Sequence, residues 1–122
     1  MHYSEKQEQQ KQANQAVLIA IGTDTTKQYL EVLKYCKQEN LPIVNIFVAQ
    51  ETSDEQKLYQ VINEAMDFAA KDGVKNGNKT ALVFASKKNI PFFINLFYIK
   101  ELILDDYTEL HIAKSRLKFF KN

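Results

Sequence analysis

Two short stretches hold the hydroxyl, carboxylate and ammonium groups from which a site could be built. The first is Gly22-Thr23-Asp24-Thr25-Thr26, which closes the apolar run Ala16 to Ile21. It sits where phosphate-binding loops sit in nucleotide enzymes, since backbone N–H groups at a helix start favour anions. It lacks both GxGxxG and GxxxxGK[ST], and Asp24 puts a negative charge where an anion would go. Short polar residues here also serve as a helix cap. The second stretch is Ser86-Lys87-Lys88, behind another apolar run. A serine beside lysine pairs a nucleophile with a base, or forms part of an anion site. It reads equally as a loop serine followed by solvated lysines. Ser53, in the loop before the second long helix pattern, completes the candidate rim.

Other reactive residue types are sparse. His2 and His111 are far apart in the chain and Cys36 is the only cysteine, so no metal-ligand spacing exists and no intramolecular disulfide is possible. Cys36, near Leu33 in a helical pattern, reads as a small buried hydrophobe. Asp105-Asp106 closes a helical stretch, where carboxylates oppose the dipole, and reads as a solvated turn. The end of the chain interleaves Lys114, Arg116, Lys118 and Lys121 with Phe119 and Phe120. That is a basic–aromatic tail able to touch nucleic acid weakly. Sixteen basic and fifteen acidic residues leave a charge of +1, and Arg116 is the only arginine. Neither global steering nor bidentate phosphate clamping is available. No cofactor fingerprint is present.

These residues need elements to hold them. Apolar runs read as strands at Ala16–Ile21, Ile43–Val48, Thr80–Ala85 and Thr108–Ala113. Between them come a helix to about Asn40, with Leu30, Leu33 and Cys36 or Tyr35 inward, and a second helix opened by Thr52, Ser53 and Asp54. Leu58, Val61, Ile62, Ala65, Phe68 and Ala69 give the second helix its apolar face. Gly73 and Gly77 read as the loop after it. A third helix, capped by Asn89, spans about residues 90–104 and is apolar all round. Phe92, Tyr98 and Ile99 are the groups expected on its outer side, which predicts a homodimer or a protein partner. The expected architecture is α/β: a small Rossmann-like three-layer domain with a mostly parallel four-stranded sheet. A polar segment (1–15) precedes the domain (16–112), and the basic tail (113–122) follows. Sites in such sheets lie at the carboxyl ends of the strands, here residues 22–26, 49–53 and 86–89. No signal peptide or span-length apolar run appears, so the expected location is the cytoplasm, away from membranes.

In this order the segments resemble the catalytic domain of serine site-specific recombinases. Val17 to Gln28 follows the family's first strand and the glutamine that opens its first helix. Leu33 to Lys37 and Ile43 to Val48 match the next helix end and strand. Leu58, Val61 and Ile62, then Leu82-Val83-Phe84, match later core positions. In the register set by Gln28, the nucleophilic serine falls on Asp24 and its arginine on Gly22. The arginine–proline pair falls on Glu55 and Gln56. The distal aspartate–arginine pair falls on Lys87 and Lys88, and a further arginine on Pro91. The resemblance therefore implies a resolvase-like fold without the chemistry. The expected function is an inactive protein-interaction or dimerisation module, accessory to DNA transactions such as recombination. The alternative is an α/β protein or enzyme of another family that binds a small molecule or anion at the strand ends.

Overall fold

The computed structural model describes residues 12–50, 54–90 and 106–120, apart from the Glu55 side chain. Strand β1 (Gln15–Gly22) leads to helix α1 (Thr25–Gln38), then β2 (Ile43–Gln50), helix α2 (Glu55–Asn76) and β3 (Thr80–Phe84). A single 3-10 turn (Lys87–Asn89) follows, and the chain returns as β4 (Thr108–Ile112) and β5 (Leu117–Phe119). The sheet order is β2-β1-β3-β4-β5. The first four strands are parallel and β5 runs antiparallel to β4. The α/β plan thus matches the expectation with five strands in place of four. The additional strand forms inside the stretch read as a tail, because Arg116 at φ 56 reverses the chain tightly enough for Leu117–Phe119 to pair back.

β1 is buried along almost its whole length, as a continuous apolar strand between two helical layers should be. Leu18 and Ala20 lie on the α1 face with Val32, Tyr35 and Cys36. Val17 and Ile19 lie on the α2 face with Ile62, Ala65, Ala69, Phe84 and Leu110. The period-3.6 stripe of α2 is borne out.

Three local expectations are overturned. In α1 the buried residues are Gln28, Val32, Tyr35 and Cys36, while Leu30 and Leu33 are exposed. Gln28 accounts for the rotation. Its amide accepts from the Ile21 N–H at 3.0 Å and donates to the Ile21 carbonyl at 2.6 Å, which turns that face of the helix toward β1. Asp24 occupies the N-cap position without making a side-chain cap, and instead accepts from Gln28 Nε2 at 3.2 Å. Gly73 lies inside α2, and the helix ends at Gly77, whose φ of 76 is the left-handed conformation glycine tolerates. Asp54 caps the start of α2, accepting from the Gln56 N–H. Ser53, residues 91–104 with Phe92, Tyr98 and Ile99, and Lys121 lie outside the described residues.

Candidate functional site

The chain leaves β1 toward β2 and leaves β3 toward β4, so the connections diverge at the carboxyl ends of these neighbouring strands. A crevice is expected at such a switch point. A cleft of about 160 Å³ opens there, lined by Asp24, Lys27, Gln28, Glu31, Ala85, Ser86, Lys88, Asn89 and Lys114. α1 supplies Lys27 and Glu31 one turn apart, the 3-10 turn supplies Lys88, and the turn after β4 supplies Lys114. Ser86 Oγ donates to Asn89 Oδ1 at 3.0 Å, which fixes the turn.

The structure therefore gathers Asp24, Ser86 and Lys88 from the expected rim and adds Lys114 from the expected tail. Thr23, Thr25, Thr26 and Lys87 do not line the cleft. Gly22 does not line it either, although a Cβ there would meet Gln28 Nε2 at 3.7 Å. Lys27, Lys88 and Lys114 make no ion pair among the described residues. Three ammonium groups against two carboxylates leave the cleft with local positive charge.

Arg116 and Lys118, the other described basic residues of the chain end, go elsewhere. Arg116 and Lys118 both bind the Glu39 carboxylate, and Arg116 also reaches Gln38 and lies over the Tyr35 ring. The Lys118 hydrogen bond holds the Glu39 carboxyl below its ordinary range. The expected basic tail is thus split between a cleft wall and an ion cluster that fastens β5 to α1.

That cluster borders a buried chain of polar groups with no forewarning in the sequence. Tyr35 Oη lies 2.8 Å from His111 Nδ1, and His111 Nε2 lies 2.8 Å from Glu109 Oε1. Glu109 Oε2 accepts the Ala13 N–H at 2.9 Å, with Lys79 Nζ at 3.7 Å. Glu109 and His111 alternate along β4 and so share the α1 face. A hydroxyl, an imidazole and a carboxylate in series is the order of nucleophilic catalysis. Here the hydroxyl is unsuited to it. Tyr35 is 2% exposed, and burial, then the negative charge of Glu39, pushes its phenol up to about 12. A space of about 80 Å³ beside Glu39, Glu109, His111 and Lys118 is large enough to hold water. The series ties α1, β4 and the start of β1 together, and its place is in the core.

A larger hollow of about 710 Å³ runs along α2 past Gln56, Tyr59, Gln60, Asn63, Glu64 and Asp67. Among the described residues one helix lines it, and no groups from different elements meet there. Among the described residues no three His, Cys, Asp or Glu side chains cluster to hold a metal. No described helix is long and apolar enough to cross a membrane. No family model, curated protein or solved structure matches this chain.

Proposed function

We propose that this chain is a non-catalytic α/β binding module, a degenerate relative of serine recombinase catalytic domains, whose strand-end cleft holds an anionic group of a ligand. The observation that carries the reading is the convergence of Lys27, Lys88 and Lys114, without ion-pair partners among the described residues, on Ser86 and Asn89 at the switch point. Charge-assisted hydrogen bonds from ammonium groups are among the stronger polar contacts. Lysine supplies them as point charges, with no bidentate demand on ligand shape. A volume of about 160 Å³ matches a single phosphate or carboxylate group and its immediate shell. Asp24 and Glu31 moderate the field and select against densely charged polymers. Nucleic acid is then bound no tighter than the generic non-specific range, roughly 10⁻⁴ to 10⁻⁶ M at physiological salt.

The test is a titration of the full chain with inorganic phosphate and with a nucleoside monophosphate, followed through backbone amide resonances. The Ser86, Lys88 and Asn89 amides should shift at millimolar ligand. Lys88→Glu and Lys114→Glu should each weaken the response about tenfold or more, a loss of about 1.4 kcal/mol. Shifts that ignore both substitutions, or no shift at all, would remove the cleft from consideration.

A further inference from the structure

The two edges of the sheet are built differently. β5 is three residues long and carries Lys118, so that edge is short and charged, a common protection against stray strand pairing. β2 runs eight residues, Ile43–Gln50, and contains no charged residue and no proline. One side of it pairs with β1, and its other side has no strand beside it among the described residues. The Ile46 N–H is taken by the Asn45 side chain at 2.8 Å.

The α1 face of this strand is also uncovered. Ile46 pairs with Leu18 and Val48 with Ala20, which places both on that face, and Val44 is the extra residue at the register shift beside them. Val44, Ile46 and Val48 are nonetheless 44%, 45% and 51% exposed, because α1 sits mainly over β1. One flank of α1 reaches across the sheet, with Tyr35 on His111 and Gln38 on Arg116. Helical spacing puts Tyr29 and Leu33 on the opposite flank, toward β2, and they are 37% and 40% exposed. An unpaired strand and an apolar strip therefore run side by side.

We propose that β2 is a dimerisation edge, at which two copies of this chain join β2 to β2, antiparallel, about a two-fold axis. Such an axis keeps both α1 helices on one face of a continuous sheet. The Val44–Ile46–Val48 rows then meet between them, flanked by Tyr29 and Leu33 of each copy. The strip is uncharged and alternates Val, Ile and Val, so it is complementary to itself. The patch has five large apolar side chains, each between a third and about half exposed. At roughly 150–200 Å² for a large side chain, two copies bury about 800 Å² of apolar side chain, and the joined β2 backbones bring the total toward the roughly 1,000 Å² a specific interface needs. The backbone ladder adds directionality that side chains alone would lack.

Sedimentation of the full chain over a wide concentration range tests this. A reversible dimer is expected, with β2 amides exchanging more slowly as concentration rises. Ile46→Lys and Val48→Lys should each weaken it tenfold or more without lowering the monomer's melting temperature, since both side chains are already half exposed. Asn45→Thr, which releases the Ile46 N–H, should tighten it. A monomer at every concentration would overturn the proposal. So would a dimer that ignores the two lysine substitutions, which would move assembly to another surface such as residues 90–104. Pairing of β2 only with strands from other proteins would overturn it as well. None of these readouts involves the cleft, so the two readings stand or fall separately.

Discussion

The Tyr35 hydroxyl shows how one buried atom sets a measurable cost. A buried imidazole nitrogen left without a partner loses about 1–3 kcal/mol. Tyr35→Phe strands His111 Nδ1, so a urea titration at neutral pH should show a loss of that size. Anion binding at the cleft should be unchanged, because Tyr35 lines no part of it. Alkaline pH probes the same neighbourhood. Burial, then the Glu39 charge, raises the Cys36 thiol from 9.0 to about 11, and the Tyr35 phenol rises from 10.0 to about 12. The folded chain therefore keeps protons that the unfolded chain gives up sooner. This contribution to stability is whole below pH 9 and is lost as pH rises through about 11 and 12. Unfolding midpoints should fall across that window, and Cys36→Ala should flatten its lower part. Thiol alkylation near pH 8 should be slow, since the reactive thiolate is scarce and buried. Rapid labelling of the folded protein would contradict the burial.

At the scale of elements, α2 is anchored by a glycine that the local pattern reads as a loop. A Cβ on Gly73 would collide with the Tyr107 ring, so the helix passes the turn before β4 at backbone distance. Gly73→Ala should therefore destabilise by about 1–3 kcal/mol through overpacking, despite alanine's better helix propensity. Gly73→Ala combined with Tyr107→Ala should recover part of that loss in the same denaturant titration. The contact explains why this glycine was misread, because no local pattern announces a partner 34 residues away. The stripe of α2 was legible since six apolar residues at helical spacing share one face. The inward face of α1 was not, since a polar residue, Gln28, holds the buried position and turns Leu30 and Leu33 outward. The β5 strand escaped notice for a related reason. Three residues among lysines carry too little pattern to oppose a tail reading. The carboxyl-edge rule located the cleft and named Asp24, Ser86 and Lys88. Lys27 and Lys114 belong to it only through the packing of α1 and the turn after β4. His111, bonded to Glu109, meets Tyr35 across 76 residues of chain, a distance no spacing rule spans.

For the molecule as a whole, the proposed kinship with serine recombinases makes a claim about chemistry that the fold itself sharpens. Phosphoryl transfer through a serine needs a nucleophile and cations aimed at the developing charge. Asp24, which the proposed kinship puts at the nucleophile position, is exposed and hydrogen-bonded to Gln28, and the only arginine is engaged with Glu39 at the other end of α1. The matching arginine position is Gly22, whose φ of 116 lies where residues with side chains are strained. Under the proposed kinship, the loop would depart from the family's arrangement in its backbone as well as its side chains. Gln28 holds it there through both of its bonds to Ile21. A single reversion should then fail. Incubated with supercoiled plasmid, the unmodified chain and Asp24→Ser should both leave the substrate uncut and form no covalent protein–DNA adduct. Gly22→Arg with Asp24→Ser should also be inert, and should lose stability by about 1–3 kcal/mol from strain at residue 22. A nick or an adduct from Asp24→Ser alone would mean that Lys27, Lys88 and Lys114 can replace an arginine clamp. The cleft would then be a catalytic site one substitution from activity, and the non-catalytic reading would fall.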